Sequence, residues 1–309
     1  MRPKPGRLDR VLKVLAAAVA VGVIEPGVAA SMAGKLQFLL VTAAFGGKLA
    51  KGAPHALRAA GCRRRRSTVE GALRASIAFI STILPLLPVR RLRLRDILRA
   101  AARSPVVVWS DAMWDMGSQA GGLGFVVWFP PGHQGAGPSG RGRFLFGGRP
   151  VATADVARWG LLDRVQQIGQ LELMGVAAVY ESLPSLLAGS EVIHFVDNQS
   201  ALYGMAKGAS SQPDSRALIS SFHVRQILDL FNVWLSYVAS TADIADLPSR
   251  GAYGEMAAAL RAIDPSFSLE GAAVPLVVPD ITGDWMGRAA ARLRPARKRG
   301  RGRGGRGGL

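Results

Sequence analysis

The chain has 309 residues, enough to bury a sizeable core in one or two domains. Its 39 Lys plus Arg against 21 Asp plus Glu leave a net charge of +18, a surplus that favours polyanionic partners, nucleic acid or an acidic membrane face. The single cysteine, Cys62, excludes an intramolecular disulfide and a Cys-rich zinc site, and the four histidines show no metal-ligand spacing.

The N-terminal stretch mimics a signal peptide: basic residues from Arg2 to Lys13, the apolar VLAAAVAVGVI, then VAAS. The apolar run from Val14 to Ile24 is only 11 residues, too short to span a bilayer. The pattern then continues into GVAASMAGKLQFLLVTAAF, which reads as a second amphipathic helix. The expectation is an intracellular protein, nuclear or cytoplasmic, neither secreted nor in the membrane. Residues 1–100 read as a small helical region. Its helices span about 8–23, closed by Glu25-Pro26-Gly27, then 27–45 and 67–84, the last stopped by prolines 85 and 88. The Arg63–Arg66 block interrupts it, and the basic link VRRLRLRD leads out.

From Pro105 the hydrophobic period changes. Residues 105–116, 122–129 and 143–148 read as strands, with a turn at Gly117–Gly124 and a Gly/Pro-rich hairpin loop at 130–142. A helix follows at about 164–187, then a strand at 191–196, a short helix at 199–206, a loop at 208–213 and a helix at 214–231. Strand 232–239 and a final helix, about 243–263, complete the region 101–263. The order implies an α/β fold: three antiparallel strands extended through crossovers, with flanking helices. Residues 264–287 read as irregular, and the tail RPARKRGRGRGGRGGL as disordered, so 264–309 forms a third segment. From Arg288 onward there are nine basic residues and no acid.

Within that order stand four carboxylates. Asp111 follows the apolar Val106–Trp109, Asp197 ends the strand at 191–196, Glu172 lies about two turns into its helix, and Asp246 sits near the start of the last helix. Acids at the ends of apolar strands are costly without a positive partner. Each alone is an ordinary turn former or helix-end charge. Together, if the first and fourth strands are neighbours, they converge on one sheet edge. Their mutual repulsion is then relieved by a pair of Mg²⁺ ions, Mn²⁺ being possible in their place.

These residues carry a resemblance. Asp111, Glu172, Asp197 and Asp246 resemble the catalytic quartet of the RNase H family over about residues 105–263. QLELMGV, FVDNQSALYGMAKG and STADIADLPSR are similar to the helix, Asp-Asn and closing motifs of the RNase H domain of retroelement reverse transcriptases, of the DIRS-like kind. IEPGVAASMAGKLQFLLVTAAFGGKL is similar to the thumb and connection region of the same polymerases. The resemblance implies an RNase H-like mixed sheet and a metal-dependent endonuclease that hydrolyses the RNA strand of RNA–DNA hybrids. In it, Asp111 bridges both metals, Glu172 and Asp197 complete one site, and Asp246 holds the metal of the attacking water. Asn198, Lys207, Arg250 and the link residues Arg90, Arg91 and Arg93 are the expected nucleic-acid contacts.

There are departures. No Tyr-x-Asp-Asp motif is present, so the palm is missing and a separate polymerase palm is a possible partner. Asp243 stands where the family usually has Asn, and no histidine lies in the 240–245 loop. The alternative reading is a catalytically inactive nucleic-acid-binding remnant of a retroelement polymerase, favoured by the basic tail. A proofreading exonuclease expects Asp-x-Glu where the chain has Asp111-Ala112-Met113, and a transposase or integrase expects a final Glu.

Overall fold

The computed structural model describes residues 6–42, 54–87, 104–138, 140–159, 167–210 and 212–281. The link bearing Arg90, Arg91 and Arg93, the end of the helix expected at 27–45, residues 164–166 and the Arg/Gly tail lie outside the described residues. The chain divides into two compact units. One comprises residues 1–92, 207–228 and 283–309; the other comprises 93–206 and 229–282.

The first unit is helical: α1 (Arg7–Val21), α2 (Pro26–Thr42), α3 (His55–Gly61) and α4 (Gly71–Ile83). Its core holds Val11, Leu15, Leu36, Leu57, Ile77 and Ile80. The residues that imitate a signal peptide are therefore a helix whose buried stripe, Val11, Leu15 and Ala18, faces a core. No described helix is long and apolar enough to cross a membrane. The helix expected from residue 67 begins later, at Gly71. Ser67 and Thr68 instead form β2, paired antiparallel with β1 (Val23–Ile24). Arg63–Arg66 are exposed, and Arg66 pairs with Glu25 across this small ladder.

The second unit contains the expected mixed sheet. β3 (Val106–Asp115), β4 (Ala120–Phe129) and β5 (Arg143–Val151) form an antiparallel meander, and β6 (Glu191–Val196) and β7 (Asn232–Tyr237) extend it in parallel. The order is β5-β4-β3-β6-β7, so β3 is central and lies beside β6. Helices α5 (Thr153–Arg158), α6 (Ile168–Ser182), α7 (Pro184–Leu187) and α8 (Gln199–Lys207) intervene, and α9 (Pro213–Asp229) precedes β7. α6 replaces the longer helix expected at 164–187. It ends at Ser182 because Pro184 has no N–H to continue the ladder, and α7 restarts there. Every residue of α6 from Gln170 to Tyr180 is buried, which suits its apolar, nearly unpatterned sequence.

The single last helix expected from residue 243 is two helices, with a 3₁₀ turn before them. A 3₁₀ turn at Ser240–Ala242, α10 (Asp246–Ser249) and α11 (Tyr253–Ile263) are separated by Asp243 and by Gly251, whose φ is +73°. α11 packs through Met256, Ala257 and Leu260 on Val126, Phe144 and Phe146 of the sheet. The irregular segment after it is tied down as well. Phe146 exchanges backbone hydrogen bonds with Ala272 and Val274 at 3.0 and 2.9 Å, which extends the sheet beyond β5.

Candidate active site

The parallel pairing of β3 and β6 matches Val106–Trp109 with Val192–Phe195. Continued by two residues, that register sets Asp111, the sixth residue of β3, beside Asp197, which directly follows β6. α6 crosses β3 closely because residue 175 is glycine. A Cβ there would meet the Asp111 carbonyl oxygen at 3.3 Å, and Glu172 lies one turn earlier on the same helix. Three separate elements thus deliver Asp111, Glu172 and Asp197, each offering an oxygen within 4.8 Å of the others. Asp111 and Glu172 are each only 4% exposed, and Asp197 is half-buried.

Asp246 does not join that trio. Its Oδ1 accepts from Arg250 Nε at 2.7 Å within one helical turn, and the pair is largely solvent-facing. It still acts on Asp111 as a nearby negative charge. Asn198 accepts the Ala201 N–H at 3.0 Å and so caps α8, while Lys207 is exposed at that helix's last turn. Asn198 and Arg250 are therefore engaged within the chain.

Two groups without a role in the sequence reading shape the site. Ser249 Oγ lies 2.7 Å from Asp111 Oδ2 and 2.9 Å from the Asp246 backbone carbonyl, so its one hydroxyl hydrogen is shared between an acid and the backbone of the next. It reaches Asp111 because the 245–249 segment rests directly on bare strand backbone. A Cβ at Gly122 would lie 1.8 Å from the Ser249 carbonyl oxygen, and one at Gly124 would lie 2.3 Å from the Ser249 nitrogen. Gly124 is the cross-strand partner of Asp111, so the acid and the landing place share a face. Glycines at alternate strand positions, as in GGLG, are the signal for such an approach. The second group is Asp243, 5% exposed, whose Oδ1 accepts the Ala245 N–H at 2.9 Å.

The electrostatics follow from burial among like charges. Burial, with Asp111, Asp197 and Asp243 nearby, pushes the Glu172 carboxyl up to about 10. Asp243 is pushed up to about 8 by burial, against the lowering effect of the Ala245 N–H, with Asp111, Asp197 and Asp246 adding to the rise. Asp111 rises to about 6, chiefly by burial, while the Ser249 hydroxyl holds it down. Burial and neighbouring acids drive the rises, while Arg250 acts on Asp111 as a nearby cation. Glu172 Oε2 and Asp243 Oδ2 are buried with no hydrogen-bond partner. An all-oxygen, all-acidic donor set with orphaned carboxylate oxygens fits a hard divalent cation.

The opposite face of β3 is neutral. His194 Nε2 meets Ser110 Oγ at 2.8 Å and its Nδ1 meets the Tyr180 hydroxyl at 3.0 Å. All three residues are buried, and burial holds the imidazole down to about 3, so it is uncharged.

No protein-family model matches the sequence, and the comparison with curated proteins finds no match. Solved structures similar to the chain are RNase H domains. RNase H1 from the halophilic archaeon Halobacterium salinarum NRC-1 is 16% identical with a TM-score of 0.35, over 49% of this chain and 99% of that one. The N-terminal RNase H domain of a Mycobacterium tuberculosis protein, solved as a fusion with maltose-binding protein, is 15% identical with a TM-score of 0.36, over 51% and 99%. LC9-RNase H1, a type 1 RNase H with the type 2 active-site motif, is 18% identical with a TM-score of 0.33, over 50% and 74%.

Proposed function

We propose that the sheet-containing unit is a metal-dependent endonuclease that hydrolyses the RNA strand of RNA–DNA hybrids, as the RNase H part of a retroelement reverse transcriptase. One observation carries the nuclease reading. Three carboxylates from a central strand, its parallel neighbour and a crossing helix meet within 4.8 Å, two of them buried and none in an ion pair among the described residues. Structural ion pairs do not look like this, because uncompensated buried charge opposes folding. The retroelement context rests on the three sequence motifs, and the basic surplus supports a nucleic-acid partner.

In this reading Asp111, Glu172 and Asp197 hold the metal, with Asp246 assigned from its place in the closing motif. Two Mg²⁺ ions, or Mn²⁺ in their place, supply Lewis-acid stabilisation of the charge that develops on a phosphodiester attacked by water. The chain's own work is to fix its ligands beforehand. Ser249 orients Asp111, Ser240 donates to Asp197 Oδ2 at 2.7 Å, and Arg250 holds Asp246. Such outer contacts keep the carboxylates in place before substrate arrives. Selection of the RNA strand falls to groups that read the 2′-hydroxyl across a shallow minor groove. Lys207, Asn198, Arg250 and the link residues Arg90, Arg91 and Arg93 are proposed to contact the backbone.

The test is cleavage of an end-labelled RNA–DNA hybrid in Mg²⁺, beside single-stranded RNA and duplex DNA. The expected result is cutting of the hybrid's RNA strand alone, lost in Asp197→Asn. Hybrid binding without cleavage in either Mg²⁺ or Mn²⁺ would instead select the inactive nucleic-acid-binding remnant.

A further inference from the structure

Asp243 is a buried acid of this site that the carboxylate quartet does not use. It closes the 3₁₀ turn after β7, where the backbone is extended (φ −84°, ψ 102°). Its two oxygens have different fates. Oδ1 accepts the Ala245 N–H and so turns the chain toward α10, while Oδ2 is buried with nothing to bond. The charged groups that act on Asp243 are Asp111, Asp197 and Asp246, and it acts in turn on Glu172. All are acids.

Asp246, three residues on, differs in each respect. It is half-buried, its side chain is 36% exposed, and its Oδ1 already has a guanidinium. A carboxylate with a cationic partner and access to water needs no metal. A carboxylate with one oxygen committed, the other orphaned in the interior and only acids around it does.

We propose that Asp243 is a metal ligand, holding through its free Oδ2 the second of the two divalent cations, while Asp246, paired with Arg250, is a positioning residue. The inference rests on the metal-site reading above and departs from it at Asp246, which the closing motif assigns to the metal. Neither Asp243 nor Asp246 belongs to the trio that shares the 4.8 Å set, and the second cation of the proposed pair would draw a ligand from this turn. Asp243 is the buried, unpaired member of the two.

The experiment is calorimetric titration of Mn²⁺ into the full chain, without substrate, for wild type, Asp243→Asn and Asp246→Asn. Asparagine keeps a carbonyl oxygen to accept the Ala245 N–H, so Asp243→Asn removes the ligand and little else. The wild type is expected to take up two ions. Asp243→Asn should lose one of them, with affinity at that site down by more than about a hundredfold, beyond the ordinary effect of an orienting residue. Asp246→Asn should retain both, with a loss of about tenfold. Binding by Asp243→Asn equal to wild type would overturn the proposal, as would loss of the second ion in Asp246→Asn alone. Uptake of no ion by the wild type would remove the metal site itself, a distinct failure. If Asp243→Asn does not fold, Asp243→Ser is titrated instead, with the same result expected and the same result decisive.

Discussion

The two ends of the β3–β6 pair have opposite character. At their N-terminal ends, the 130–134 loop and the 184–191 turn frame a cavity of about 440 Å³. Polar groups there are matched. His133 Nε2 meets Ser190 Oγ at 2.9 Å and its Nδ1 accepts the Gly135 N–H at 2.9 Å. Gln134 donates to the carbonyls of Ser185, Leu186 and Ala188 at 2.8–3.2 Å, closing the end of α7. At the C-terminal ends, buried carboxylates crowd together with orphaned oxygens. Concavity marks the first end and unmet charge marks the second. Folding alone explains matched groups; unmet ones call for something the chain does not supply.

The most severe break is at the acids themselves. Asp111→Asn and Glu172→Gln should each lower hybrid cleavage by about a thousandfold or more, since several kcal/mol of transition-state stabilisation is removed. The same variants should be at least as stable as wild type in urea without metal, because each removes a carboxyl whose charged form the site opposes. Next comes the platform beneath Ser249. Gly122→Ala forces a Cβ into the Ser249 carbonyl, and about 1–3 kcal/mol of stability should be lost together with cleavage.

The pH dependence separates the ends without mutation. Asp111, Asp243 and Glu172 have folded pKa values of about 6, 8 and 10, all above the ordinary carboxylate value. The folded chain therefore keeps protons that the unfolded chain has released. Their contribution is complete below the unfolded value near 4 and is lost as pH rises through each folded value. Metal-free stability should fall from about pH 5 to pH 8, by up to about 1.4 kcal/mol per pH unit for each acid still protonated. Denaturant midpoints at several pH values in chelator check it, and Glu172→Gln should flatten the slope. Ser249→Ala removes the hydroxyl that holds Asp111 down, so the Asp111 carboxyl should titrate above about 6 by carbon-detected NMR. The smallest effect belongs to the matched end. Gln134→Ala should cost about 1 kcal/mol of stability and leave cleavage unchanged.

Much of this was legible in the chain. Strand runs and turn residues give the meander, and the acids of VVVWSD and VIHFVD come side by side once β3 and β6 pair. Glu172 is legible from QLELMGV, although its burial is not, because helix α6 shows no polar face to orient it. What escaped depends on contacts distant in sequence. Ser249 looks like part of a closing motif until Gly122 and Gly124 let its segment lie on the sheet. The single helix expected at 243–263 gives way to two, α10 and α11, for Asp243 turns the chain ahead of them and Gly251 takes a positive φ between them. Helix α9 stands between β6 and β7 in sequence, yet its Val224 and Ile227 belong to the core of the N-terminal helices. Periodicity shows that α9 has a buried stripe and is silent on which core receives it.

The central claim is that the acidic end is completed by a divalent cation, and unfolding with and without that cation tests it most directly. At pH 8, millimolar Mg²⁺ should raise the wild-type unfolding midpoint relative to chelator by the equivalent of about 2–3 kcal/mol, as expected for an ion present at about a hundred times its dissociation constant. The rise should vanish in Asp111→Asn. A wild-type midpoint indifferent to Mg²⁺ and Mn²⁺ alike would contradict it.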